Sequence, residues 1–163
     1  MKTGQAGLKL IEEFEGLILG AYDDANDRIV LPGQRVYGTL TIGYGHTSAA
    51  GPPKVYIGQR ITAPEADAIL AADLASVELE VQHLVKVPLN QNEFDALVSF
   101  TFNEGDGALG RSSTLHMLNA GNRVGAANGL LLWDRGLGRV LAGLERRRVE
   151  ERALFLKPWI DEA

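Results

Sequence analysis

Two hydrophobic rhythms alternate along the chain. Leu8, Ile11 and then Glu15 recur at spacings of three and four, the period of one helix face, and Gly16 follows as a stop. Thr3 stands where an N-cap belongs, so a first helix is expected from there to about Glu15. From Tyr22 to Thr47 the rhythm shortens to that of strands: Arg28-Ile29-Val30-Leu31, a Pro32-Gly33 turn, then the β-prone run from Arg35 to Tyr44. A Gly- and Pro-rich loop from Ser48 to Gly58 separates this region from Thr62-Ala63-Pro64-Glu65, a capping box with proline in the first turn. Helical spacing returns in Ala66, Leu70, Leu74, Val77, Val81 and Leu84 and lasts to about Val85. A helix of about 20 residues reaches about 30 Å, enough to join two lobes. Gln91 to Asn103 reads as a strongly apolar helix ended by Gly105. Shorter helices fit Ser113 to Asn119, Val124 to Trp133 and Leu144 to about Leu156, punctuated by Gly121, Gly136, Gly138 and Gly143.

The pattern predicts an α+β, mainly helical chain forming a single domain over residues 1–163. Its parts are a small β-containing lobe over about 13–62, a linking helix over about 63–85, and a helical lobe over about 86–163 that also takes the start of the first helix. A content of 45% hydrophobic and 23% charged residues suits a globular core and excludes a disordered chain. Cysteine is absent, which removes disulfides, thiolate nucleophiles and Cys-based metal sites. No apolar run approaches the roughly 18 residues of a membrane span. The first residues lack the apolar core of a signal peptide, so synthesis in the cytoplasm without membrane insertion is expected. Charge is uneven: residues 1–110 hold 7 Lys and Arg against 15 Asp and Glu, and residues 111–163 hold 9 against 6. The basic part could grip a polymer carrying anionic groups, although a solvated charged face explains it equally well. Net acidity argues against nucleic acid as a partner.

The chemistry concentrates between Glu15 and Thr47. Glu15 occupies a helix position where an apolar residue is expected, and burial beside apolar neighbours favours the protonated carboxyl that a general acid needs. Asp24, preceded by Asp23, sits in a polar turn region that keeps a carboxylate charged. Two carboxyl groups in unlike surroundings make the pair that glycosidic cleavage uses. Adjacent residues of an extended segment point to opposite faces, so Asp23 is expected to face solvent or a lobe contact. Thr41, in the glycine-rich run Thr41-Ile42-Gly43-Tyr44-Gly45-His46, can hold a water by its hydroxyl.

At Glu15-Gly16, Tyr22-Asp23-Asp24 and Thr41-Ile42-Gly43-Tyr44-Gly45-His46 the chain resembles the phage-type lysozymes, glycoside hydrolase family 24. The resemblance continues through Gln91 to Gly105 and through Gly143, Leu144, Arg147 and Arg148, and so covers nearly the whole chain. It implies a lysozyme-like fold with a cleft between the lobes. The implied activity is that of an endolysin, hydrolysing the β-1,4 bond between N-acetylmuramic acid and N-acetylglucosamine in bacterial peptidoglycan. Glu15, Asp24 and Thr41 are the implied catalytic triad, with inversion at the sugar and no cofactor. The implied substrate contacts are Thr47, Phe102, Asn103, Thr114 and Arg147, the last facing the catalytic glutamate. A monomer is expected, reaching the wall after release by a separate pore-forming protein. One departure stands out: short members of the family place the threonine soon after the aspartate, whereas here Thr41 lies seventeen residues after Asp24. The added segment, about Asp27 to Gly38, is expected to form a hairpin turned at Pro32-Gly33 that alters substrate access.

Each residue has a plainer reading. Alone, Glu15 would be a solvated helix-end glutamate; Phe102 and Trp133 could be core, Asn103 a cap and Arg147 a surface cation. Asp23, Asp24 and Asp27 suggest a calcium loop, but the sixth and twelfth places counted from Asp23 hold Arg28 and Gln34 instead of glycine and glutamate. His46, His83 and His116 have no metal-ligand spacing. His46 is expected to pair with Asp73 as a structural contact that favours the charged carboxylate. Two rival functions remain: a lytic transglycosylase, which would use an internal sugar hydroxyl in place of water, and an inactive peptidoglycan-binding module.

Overall fold

The computed structural model describes residues 1–160. Its helices are α1 (Gln5–Glu15), α2 (Ala63–Leu84), α3 (Gln91–Glu104), α4 (Ala108–Arg111), α5 (Ser113–Asn119), α6 (Arg123–Leu130) and α7 (Ala142–Leu156). One antiparallel sheet joins β1 (Ile18–Asp23), β2 (Arg28–Ile29), β3 (Leu40–Gly43) and β4 (His46–Thr47) in the order β2-β1-β3-β4. A second, two-stranded hairpin pairs β5 (Arg135–Gly136) with β6 (Arg139–Val140). The fold is thus α+β and mainly helical. Backbone contacts group the chain into two compact units, Glu12–Ala75 on one side and Met1–Ile11 with Ser76–Ala163 on the other. No helix among the described residues is long and apolar enough to cross a membrane.

In the helical unit, α3 is the core. Ten consecutive residues, Asn92 to Thr101, are buried, so this helix is enclosed on all sides and its polar members need internal partners. They have them: Ser99 donates to Glu151 (2.7 Å), Thr101 to the Leu97 carbonyl (2.8 Å) and Asn92 to the Lys157 carbonyl (3.1 Å). Asp95 accepts from the Gly4 and Gly7 backbone N–H groups at 2.8 and 3.0 Å. That carboxylate, 91 residues away along the chain, caps the first turn of α1. Thr3 does not take the expected cap role, because its hydroxyl and backbone N–H both donate to Glu78. A side chain on Gly7 would put its Cβ 2.8 Å from Asp95, so this cap needs glycine. On α7, Arg148 is fully buried and forms ion pairs with Glu104 (2.5 Å) and Glu151 (2.8 Å).

In the other unit, Ala21, Ile42, Ala66, Leu70 and Leu74 form the buried apolar centre. The sheet lies close to α2 there: a Cβ added to Gly43 would stand 3.6 Å from that of Ala66. The α2 capping box forms as its sequence predicts, with Thr62 N–H to Glu65 at 2.7 Å and Glu65 N–H to Thr62 at 3.3 Å. The expected hairpin of residues 28–31 against 35–44 does not form. Arg28–Ile29 pairs instead with Tyr22 and Asp23 of β1, across a tight turn in which Asp27 takes a left-handed φ of 56°. Residues 35–39 belong to no strand. The Pro32-Gly33 turn is present, but it connects a loop, because β1 supplies a longer apolar strand than any the insertion contains.

Candidate active site

The residues that carry the expected chemistry assemble on β1, β3 and the end of α1, all within the strand-bearing unit. Glu15 is the last residue of α1, stopped by Gly16 in the left-handed region (φ 70°). It is half-buried, and its Oε2 lies against Gly45, where an added Cβ would stand 3.5 Å away. Antiparallel pairing sets Tyr22 opposite Thr41 and Asp23 opposite Leu40. One residue further, Asp24 and Thr39 continue the ladder, with Asp24 N–H donating to the Thr39 carbonyl at 3.1 Å. The Asp24 carboxylate is exposed and accepts the Thr39 N–H through Oδ1 at 2.6 Å. Thr41, 4% exposed, donates its hydroxyl proton to the Thr39 carbonyl at 3.0 Å. Its oxygen lone pairs remain as acceptors.

Tyr22 is the β1 residue that pairs with Thr41. It is 7% exposed, and its hydroxyl is held neutral by burial first, then by the negative fields of Asp27, Glu15 and Asp24, which raise it above the ordinary tyrosine value. The sequence marks this tyrosine only as a motif position, and β1 is buried without alternation from Gly20 to Asp23.

Of the two places expected for Asp23, solvent or a lobe contact, the structure rules out solvent. The residue is 2% exposed, and its carboxylate accepts three backbone N–H groups: Tyr37 at 2.7 Å, Gly38 at 2.9 Å and Ala25 at 3.0 Å. Those bonds, Tyr37's foremost, hold it below the usual aspartate range. The side chain fastens the returning arm of the insertion to β1. Gly38 has no room for a side chain, since a Cβ there would come 2.1 Å from Asp24 Oδ1.

His46 Nδ1 meets Asp73 Oδ2 at 2.8 Å, and Nε2 meets the Pro53 carbonyl at 2.8 Å. A carbonyl only accepts, so Nε2 carries a proton. Burial raises the Asp73 carboxyl above its ordinary value, with the His46 bond and charge pulling the other way. The pairing does favour the charged form, but the net direction is corrected from the expectation, because desolvation outweighs the single partner.

The remaining candidates divide. Thr47 is half-buried on β4, directly opposite Thr41. Phe102 and Asn103 are half-buried near the end of α3, and Asn103 Oδ1 is occupied by Arg148 (2.7 Å). Arg147 is 3% exposed, donating to Glu151 (3.2 Å) and the Ser99 carbonyl (3.3 Å). Thr114 is fully buried beneath Gly129, whose added Cβ would stand 2.6 Å from the Thr114 hydroxyl, and that hydroxyl has no hydrogen-bond partner among the described residues. Trp133 meets Phe100 edge to face, 5.4 Å between centroids. No group of three or more His, Asp or Glu side chains among the described residues is placed to hold a metal ion.

A family model described as phage lysozyme matches residues 12–151. The endolysin of Bacillus phage B103 is 42% identical over 156 residues, 96% of this chain and 54% of that protein. This chain thus spans about half the length of that relative. The endolysin of Salmonella phage P22 is 39% identical over 156 residues, 96% of this chain and 99% of that protein. Among solved structures, the muramidase domain of SpmX from Asticaccaulis excentricus has a TM-score of 0.79 at 42% identity, covering 96% of this chain and 99% of that one.

Proposed function

Because the chain belongs to the phage lysozyme family, we propose that it is an endolysin-type muramidase, acting as a monomer on the β-1,4 bond between N-acetylmuramic acid and N-acetylglucosamine in peptidoglycan. The observation that carries this reading is the joint registration of Asp24 and Thr41 through Thr39 on the β1–β3 ladder, in the same unit as Glu15. Glu15 protonates the departing glycosidic oxygen as the bond to the anomeric carbon breaks. Asp24 Oδ1 is held by an N–H, so Oδ2 takes the proton of the attacking water, while Thr41 accepts its other O–H. Water then enters from the face opposite the leaving group, and the configuration inverts. An inverting pair stands about 6.5–9.5 Å apart to leave room for that water. Access to the wall depends on a separate pore-forming protein.

Digestion of purified peptidoglycan tests the reading. Mass spectrometry is expected to find reducing N-acetylmuramic acid ends, each heavier by one water than a 1,6-anhydro end, and early-time NMR the inverted anomer. Anhydro products would instead establish a transglycosylase. Binding to walls without any cleavage would establish a wall-binding module.

A further inference from the structure

The insertion builds a pocket of its own, about 330 Å³ in volume, lined by Asp23, Asn26, Arg28, Ile29, Val30, Gln34, Arg35 and Tyr37. Its polar groups face it almost wholly as donors. Asn26 Oδ1 is used by the Arg28 N–H (3.0 Å) and Gln34 Oε1 by the Leu31 N–H (2.9 Å), so each amide presents its NH₂ end. The Asp23 carboxylate is engaged by three backbone N–H groups, two on Oδ1 and one on Oδ2. Arg35 lies 5.2 Å from the Tyr37 ring centroid, which fixes the plane of the guanidinium beside a ring that is 72% exposed. Neither Arg28 nor Arg35 is held by a carboxylate among the described residues. The unit Glu12–Ala75 carries 4 Lys and Arg against 9 Asp and Glu, and two of those four cations line this one pocket.

We infer that this pocket is an anion subsite that binds a carboxylate of the peptide stem on the wall polymer. A planar carboxylate matches the forked donors of a guanidinium in two parallel bonds. The apolar part of the lining, Ile29, Val30 and the Tyr37 ring, fits the methyl and methylene groups of a short peptide. A polyol phosphate chain would make no use of it. The source of the ligand rests on the wall-hydrolase reading, but the binding itself does not.

The test is an NMR titration of the full chain, with ¹⁵N labelling, against the stem peptide L-Ala-γ-D-Glu-L-Lys-D-Ala-D-Ala, its fully amidated analogue, and glycerol phosphate oligomers. Saturable shifts at Asn26, Arg28, Arg35 and Tyr37 are expected with the free-acid peptide. Affinity should fall at least tenfold on amidation, and equally in Arg28→Gln with Arg35→Gln, with each single variant intermediate. Shifts that persist with the amidated peptide, that ignore both arginines, or that are stronger with glycerol phosphate would overturn the assignment, as would no saturable shift at all. A second readout uses cleavage. The double variant should raise KM several-fold on intact peptidoglycan while leaving it unchanged on glycan strands stripped of peptide. Because the titration needs no turnover, a chain that binds the peptide but releases no reducing ends would contradict the hydrolase and leave the subsite standing.

Discussion

At the scale of single residues, neighbouring aspartates have taken different work. Asp24 keeps an exposed carboxylate on one backbone donor, and Asp23 buries its own on three. The grouping of Glu15, Asp24 and Thr41 in one unit follows from signals that are local in order and spacing. The Asp23 clamp does not, since its partners are backbone amides 14 and 15 residues on, a contact only the folded insertion creates. The burial of Thr114 escaped for the complementary reason: a polar residue type says nothing of the helix packed over it. For Asp23, the folded carboxyl lies below its ordinary value of 3.8, so its stabilisation is present above that pH and lost as pH falls through the folded value. Denaturation of Asp23→Asn should show a chain less stable than the parent at neutral pH, the gap closing as pH falls through the folded value. Asn retains one acceptor oxygen, so turnover should fall less than in Asp24→Asn. Gly38→Ala drives a Cβ into Asp24 Oδ1; a folded variant with about 10²-fold lower turnover is expected, as misplacing a reacting group by about 1 Å costs.

At the scale of elements, the capping box of α2, the bounds of α5 and the glycine stop after α3 follow from short-range signals. What escaped sequence reading is what distant chain decides. The α1 cap comes from Asp95, and β2 chooses β1 over the arm beyond the Pro32-Gly33 turn. The helix read as Val124 to Trp133 ends at Leu130, and glycines read as punctuation form the β5–β6 hairpin. Asp95→Ala strands two helix-end N–H groups in the core and should cost roughly 2–3 kcal/mol by urea denaturation. The His46–Asp73 contact joins β4 to α2 and makes a pH-dependent prediction. A carboxyl raised by burial contributes stability fully below its unfolded value of 3.8 and loses it as pH rises through the folded value. His46→Asn removes the partner that restrains this rise. Its deficit against the parent should be smallest in acid and grow to roughly 3 kcal/mol at neutral pH. A deficit independent of pH would contradict the pairing.

At the scale of the whole molecule, contacts group the first half of α2 with the sheet and the start of α1 with the helical unit. The reasons are the Gly43–Ala66 approach and the Asp95 cap, neither visible in a hydrophobic pattern. The chain's net charge of −5 resides in the unit Glu12–Ala75, which carries Glu15, Asp24 and Thr41. The central claim is that Glu15 and Asp24 cleave a glycosidic bond. The most direct measurement is the rate at which reducing ends appear in purified peptidoglycan with the parent, Glu15→Gln and Asp24→Asn, each checked for folding by circular dichroism. The parent should release them steadily, and each variant should lose a factor of roughly 10² to 10⁴. A folded Asp24→Asn or Glu15→Gln that keeps the parent's rate would contradict the account.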